Sequence, residues 1–106
     1  MIFLIDSGGF PRVKADVGLE LVGDFLEMDV QSSVFAVDEY LAATEDVVAG
    51  RIPVWEGTGN AFTLSIRMAG VDFYNEFTSE ELQGLSVLDF SEYLTAWKQL
   101  VIANGV

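Results

Sequence analysis

Cysteine and histidine are both absent from the 106 residues of this chain. The absence of cysteine excludes disulfides, thiolate metal ligands and a thiol nucleophile. The absence of histidine removes the side chain that most often transfers protons near neutral pH, so no serine hydroxyl can be activated by an imidazole base. We therefore predict that the protein is not an enzyme and that it uses no cofactor and no metal.

Basic residues are scarce as well. The chain has 5 Lys and Arg against 17 Asp and Glu, which gives a formal net charge of −12 at pH 7. Binding to nucleic acid requires clustered basic side chains that neutralise phosphates, so this composition argues against a nucleic-acid partner. The same charge steers association toward cationic macromolecules. We predict a basic protein as the partner.

Long apolar runs are also missing. No segment approaches the roughly 20 apolar residues of a membrane-spanning helix, so no membrane partner is predicted. The apolar start, residues 1–5, is short and has no basic leader, which argues against a secretory signal. These absences predict a cytoplasmic location.

The residues that are present suffice for one packed core. Hydrophobic residues make up 51% of the chain and include 8 Phe, 3 Tyr and 2 Trp. The length fits a single domain, and we find no repeat or linker, so residues 1–106 are predicted to form one domain. Apolar spacing predicts strands and helices in the order β-β-α-α-β-β-α: strands at 2–5, 12–15, 62–68 and 71–77, and helices at 18–30, 34–48 and 87–101. This order predicts an α+β fold, an antiparallel sheet of about four strands with about three helices packed on one face.

Ser32 and Ser33 are predicted to cap the second helix and Ser86 the third. The third helix has one apolar stripe, formed by Val87, Phe90, Leu94, Trp97 and Val101.

The segment from 62 to 77 has the clearest alternation of apolar and polar residues. A two-residue loop at Ala69-Gly70 would pair Met68 with Val71, Ile66 with Phe73, Leu64 with Asn75 and Phe62 with Phe77. The exposed face would then place Arg67 opposite Asp72 and Thr63 opposite Glu76. Residues 52–60 contain turn-forming residues and are predicted to be a loop.

Acidic residues supply most of the candidate partner-binding set. Glu20, Asp24 and Glu27 recur at spacings of four and three, so on a helix over 18–30 they share one face and repel one another. A cationic partner would relieve that repulsion, although dispersed solubilising charge is the alternative interpretation. The other acidic candidates lie on or beyond the exposed sheet face: Asp72, Glu76, Glu80 and Glu81.

Trp55 completes the set of candidates. It follows Pro53 in the predicted loop, where it either covers the core or acts as an interface anchor, since Trp is enriched at binding hot spots. The adjacent acidic pairs are weak candidates for a hydrolytic or calcium site, because neighbours on a helix do not face each other: Asp38-Glu39, Glu45-Asp46 and Glu80-Glu81.

Three stretches resemble a group of small uncharacterised and immunity-type bacterial proteins. They read Gly-Leu-Glu-Leu-Val-Gly-Asp-Phe-Leu-Glu-Met-Asp at 18–29, Gly-Asn-Ala-Phe-Thr-Leu at 59–64 and Ser-Val-Leu-Asp-Phe-Ser-Glu-Tyr-Leu-Thr-Ala-Trp-Lys-Gln-Leu-Val at 86–101. The chain is similar in these features to YacL-like proteins and to CdiI-type immunity proteins of contact-dependent growth inhibition systems. That resemblance implies binding and neutralisation of the toxin domain at the C-terminus of a CdiA-type protein, often a basic nuclease. It assigns no interface residue.

The leading hypothesis is therefore an immunity protein for a basic, nuclease-type toxin domain of such a system or a related polymorphic toxin system. The alternative is a non-enzymatic regulatory or accessory interaction domain that forms a homodimer. A small hydrolase that uses carboxylates is a third class, with no motif in its favour.

Overall fold

The structure, a computed structural model, describes residues 1–105 and contains a four-stranded antiparallel sheet, a separate two-stranded hairpin and three α-helices. The predicted α+β class, with about four antiparallel strands and three helices, is confirmed. The elements in chain order are β1 (Ile2–Ile5), β2 (Pro11–Lys14), α1 (Glu20–Phe25), a π-helical turn (Leu26–Val30), α2 (Val34–Val48), β3 (Trp55–Thr58), β4 (Phe62–Arg67), β5 (Gly70–Asn75), β6 (Glu81–Leu85) and α3 (Val87–Ala103).

The membership of the main sheet differs from the prediction. Its order is β3-β4-β5-β6, whereas β1 and β2 pair only with each other. The loop predicted over 52–60 is wrong at Trp55–Thr58, which form β3, and β6 was not predicted. Both strands are short and contain glycine, which lowers strand propensity, so their strand state depends on pairing with β4 and β5 rather than on local sequence.

The central hairpin forms as predicted, but its register is shifted by two residues. Ile66 pairs with Val71 rather than with Phe73, and the two-residue turn is Met68-Ala69. Gly70 belongs to the strand because β6 passes beside it: a Cβ there would lie 3.0 Å from the Cα of Gly84. A shift of two residues keeps each side chain on its predicted face.

Two apolar residues of that hairpin were nevertheless placed wrongly. Met68 and Phe77 were predicted to lie on the buried face, yet they are 62% and 77% exposed. Met68 falls in the turn and Phe77 lies past the end of β5, so neither belongs to a strand.

The first helical segment, predicted over 18–30, begins at Glu20 and changes from α-helix to a π-helical turn at Leu26. Gly23 weakens a helix, but a Cβ there would lie 3.2 Å from Cγ1 of Val13. The glycine therefore lets β2 pack closely against α1. The segment ends at Gln31, whose φ of 54° lies in the left-handed region.

The two longer helices confirm the predicted caps. The hydroxyl of Ser33 accepts the N–H of Ala36 at 3.1 Å, and that of Ser86 accepts the N–H of Asp89 at 3.0 Å. Such caps satisfy backbone donors that have no partner inside the helix. Within residues 1–105, no helix has the length and apolar character required to cross a membrane.

The core lies between one face of the four-stranded sheet and the three helices. Its largest fully buried side chains include Trp97 of α3, whose indole N–H donates to the carbonyl of Gln31 at 2.7 Å. The apolar stripe predicted for α3 is buried at Phe90, Leu94, Trp97 and Val101. The helices therefore cover a single face of the sheet, and the other face remains open.

Candidate protein-binding surface

The uncovered side of the four-stranded sheet, called here the open face, carries polar side chains that alternate with core residues. All of them are exposed or half-buried, and several line a shallow depression of about 160 Å³. The open face consists of Glu56, Thr58, Thr63, Ser65, Arg67, Asp72, Tyr74, Glu81 and Gln83. Its charged groups are three carboxylates and one guanidinium, so the surface is acidic.

Asp72 is held within the open face by its neighbours. Its Oδ2 lies 3.2 Å from the guanidinium of Arg67, and its Oδ1 accepts the N–H of Gly84 at 2.9 Å. Arg67 lies diagonally from Asp72 rather than directly opposite, because Ser65 occupies the paired position. Asp72 thus supports the β5–β6 pairing as well as adding negative charge.

The other carboxylates of this region are less constrained. Glu76 accepts a hydrogen bond from the hydroxyl of Thr63 at 2.8 Å, a contact that persists although Thr63 pairs with Tyr74. Within residues 1–105, the side chains of Glu56 and Glu81 make no hydrogen bond and no ion pair. They are therefore free to bind a cationic group from outside.

A second acidic group lies around Asp24 of α1 and is called here the Asp24 cluster; it comprises Glu20, Asp24, Glu27 and Glu80. Partial burial raises the pKa of Asp24, and the negative charges of Glu27, Glu80 and Glu20 raise it further. The predicted shared face of α1 is thus present, and the fold adds Glu80 to it. Sequence spacing could not reveal this addition, because Glu80 approaches only through tertiary structure.

Two members of the Asp24 cluster also have structural roles. The carboxylate of Glu27 accepts the N–H of Val13 at 2.9 Å and lies 3.7 Å from Arg12, so it ties β2 to the helix. Glu20 accepts the N–H of Gly18 at 3.0 Å, and hydrogen bonds from backbone N–H groups lower its pKa. Asp24 and Glu80 are the members whose carboxylates lack such contacts within the described chain.

The Asp24 cluster and the open face meet at the turn between β5 and β6. Asn75 is buried there, and its side-chain oxygen accepts the N–H groups of Phe77 and Thr78 at 2.9 and 3.1 Å. This turn presents Glu80 toward Asp24, while the next residue, Glu81, pairs with Tyr74 on the open face. The turn therefore links the Asp24 cluster to the open face along the chain.

Trp55 was predicted to lie in a loop, but it is the first residue of β3. It is half-buried, and its ring lies edge-to-face with Tyr40 of α2 at 5.5 Å between centroids. The indole also lies over Gly57, where a Cβ would be 2.5 Å from the ring. These contacts favour the core-covering interpretation over an anchor that inserts into a partner.

Asp29 was not among the predicted site residues. Its two carboxylate oxygens accept the N–H groups of Ala61 and Phe62 at 2.8 and 3.0 Å and so connect the π-helical turn to the start of β4. Asp29 also lines a cleft of about 280 Å³ between α2 and β3, together with Glu39, Tyr40 and Trp55. Asp29 and Ala61 are 32 residues apart in the sequence, so no local pattern predicts their hydrogen bond.

The acidic groups are spread across surfaces rather than converging on one point. Among residues 1–105, no three acidic side chains are arranged to hold a metal ion. What the surface offers is a set of solvent-facing carboxylates that can pair with ammonium or guanidinium groups.

The raised pKa of Asp24 gives a prediction for stability. The folded state holds this proton more tightly than the unfolded chain does, so the contribution of Asp24 to stability falls as the pH rises through the range above 3.8. We expect Asp24→Asn to raise the free energy of unfolding at pH 7 by about 0.5 kcal/mol or less, and to have no effect near pH 3, in urea denaturation. The control is Asp38→Asn, which loses the 2.7 Å ion pair with Lys98 and should not stabilise. An equal gain for Asp24→Asn at both pH values would contradict the repulsion.

Comparison with known proteins gives a distant match. The chain is similar to a UPF0231 protein of Cronobacter sakazakii (strain ATCC BAA-894), with 25% identity in an alignment that covers 97% of each chain. No protein-family model matches the chain. No solved structure matches it either.

Proposed function

We propose that this chain is a non-enzymatic binding protein whose open face and Asp24 cluster dock on a basic protein. The observation that carries the proposal is the uncovered sheet face, which bears the free carboxylates of Glu56 and Glu81 and joins the Asp24 cluster. A face that packs on nothing within its own domain, and that carries one sign of charge, suits a partner of the opposite sign.

Electrostatics explains what such a surface would gain from binding. Carboxylates held close together repel one another, and a basic partner replaces that repulsion with attraction. The net charge of −12 also accelerates the encounter with a basic protein, with a strong dependence on ionic strength. Affinity and association rate should therefore both fall as salt is added.

We further propose that the partner is a basic, nuclease-type toxin domain and that the chain is its cytoplasmic immunity protein. The acidic surface, the small single domain and the resemblance to CdiI-type proteins support this assignment. Neutralisation would follow from covering the basic surface with which such a toxin holds its nucleic-acid substrate.

The proposal predicts that a toxin domain is encoded directly upstream of this chain, and the test uses that domain. Co-expression of the chain should protect cells from the toxin, and calorimetry should show binding that weakens steeply with salt. The proposal is overturned if the chain neither protects cells from the toxin nor binds it. A stable homodimer that persists at high salt and does not bind the toxin would instead favour the regulatory or accessory alternative.

Charge reversal identifies the docking surface. Glu81→Lys should slow association with the toxin, since this carboxylate has no structural partner within residues 1–105. The matched control is Glu92→Lys on α3, an exposed position on the helix side of the sheet. Equal association rates for both variants would exclude this surface. Reversal of Glu27 is not a clean test, because its carboxylate holds the backbone of Val13.

A further inference from the structure

The cleft between α2 and β3 combines aromatic walls with negative charge. Tyr40 and Trp55 form its aromatic side, and Asp29 and Glu39 supply carboxylates. The volume of about 280 Å³ is enough for one side chain and too small for a larger ligand to be enclosed. None of these four residues belongs to the open face or to the Asp24 cluster.

The aromatic walls have fixed positions. The ring of Tyr40 packs edge-to-face against that of Phe25, with 5.1 Å between the ring centroids. The planes of the Tyr40 and Trp55 rings meet at 77°. Gly57 leaves room for the Trp55 ring in this position, since a Cβ there would lie 2.5 Å from the indole. The walls therefore exist before a ligand arrives, which lowers the entropic cost of binding.

The polar groups of the cleft are partly unused. Within residues 1–105, the hydroxyl of Tyr40 and the carboxylate of Glu39 make no hydrogen bond. Asp29 binds two backbone N–H groups but keeps its negative charge beside the cleft. Burial raises the pKa of Tyr40 to about 12, and the charges of Asp29 and Glu39 also act to raise it, so the hydroxyl stays protonated and can accept from a cation.

We propose that this cleft receives the guanidinium group of an arginine side chain from the basic partner, stacked on Trp55 and paired with Glu39. The inference rests on the proposed function for the identity of the partner. It also changes the role considered for Trp55. The ring forms one wall of a site that receives a side chain from the partner, instead of inserting into the partner itself.

Arginine fits this site better than lysine does. A guanidinium is planar, so it stacks on an aromatic face while its edge donates to a carboxylate and a hydroxyl at once. A lysine ammonium is a compact and strongly hydrated charge that cannot stack in this way. The cleft offers two aromatic rings and several acceptors, and a planar fork of donors can contact both kinds of group at once.

The test titrates the ¹⁵N-labelled full chain with N-acetyl-arginine methylamide and follows the two indole N–H resonances by NMR. The Trp55 resonance should shift and saturate, while that of buried Trp97, whose N–H donates to Gln31, should stay in place. The neutral analogue N-acetyl-citrulline methylamide should cause no shift. Glu39→Gln should weaken binding about threefold to tenfold, whereas Glu92→Gln on α3 should leave it unchanged.

The outcomes separate this inference from the proposed function. Equal shifts with the citrulline compound, equal affinity in Glu39→Gln, or no shift of Trp55 at millimolar arginine compound would each overturn the cleft assignment. Salt-sensitive binding of the toxin domain that is unaffected by Glu39→Gln would leave the proposed function standing without the cleft. Binding of the arginine compound without toxin binding would support the cleft and reject the toxin as partner.

Discussion

Replacement of Asp29 by alanine is expected to lower the free energy of unfolding by about 3 kcal/mol, because it leaves two partly buried N–H groups without an acceptor. Those groups belong to Ala61 and Phe62, at 2.8 and 3.0 Å from the carboxylate. Hydrogen bonds to a charged acceptor are among the stronger contributions to stability. Urea denaturation followed by far-UV circular dichroism measures the change.

Two further variants test whether this contact is the cause. Asp38→Ala removes an exposed carboxylate that pairs with Lys98 and should cost at most about 1 kcal/mol. Gly59→Ala should also destabilise, because its Cβ would lie 2.6 Å from Oδ2 of Asp29. Once Asp29 is alanine that clash disappears, so the double variant should be less destabilised than the sum of the two. Strict additivity, or similar losses for Asp29→Ala and Asp38→Ala, would contradict this account.

The helices show what local sequence can predict. Ser86 and the apolar stripe of α3 lie on one helix, and each signal depends only on residues within a few turns. The prediction of this helix is confirmed at its cap and along its buried face. Ser33 caps α2 for the same reason, since the hydroxyl and the N–H that it accepts are three residues apart.

The sheet shows where local sequence is insufficient. Strand β3 begins at Trp55 and contains Gly57, and no alternation marks it as a strand. The register of the central hairpin depends on Gly70, which must pass beside Gly84 of the unpredicted β6. Both errors have one cause: the sequence does not reveal which strand will be the neighbour.

The candidate binding surface was likewise predictable from the sequence only in part. Helical spacing identified the face of α1 that carries Asp24, but Glu80 reaches it only through the β5–β6 turn. The cleft beside Tyr40 was not predicted at all, because α2, β3 and the π-helical turn contribute to it from distant parts of the chain. Spacing predicts a shared face within one element, whereas a site built between elements requires the fold.

Phe25→Ala is expected to have the largest effect on stability, a loss of about 3–5 kcal/mol in the free energy of unfolding. Phe25 is fully buried, and its ring lies within 6.2 Å of four other aromatic rings, those of Tyr40, Phe62, Phe73 and Phe90. Truncation removes the apolar contacts and leaves a cavity that the surrounding helices and sheet cannot fill completely. The control is Phe35→Ala on α2, which is 73% exposed and should change stability by about 0.5 kcal/mol or less.

A milder change at the same position connects the core to the cleft. Phe25→Leu keeps most of the buried volume but removes the ring that supports Tyr40 at 5.1 Å. The chain should remain folded, and Tyr40 should lose its fixed orientation, so affinity for the arginine compound should fall while the shift of the Trp55 resonance at saturation persists. If the affinity of Phe25→Leu equals that of the original chain, the ring of Phe25 does not hold the cleft in place.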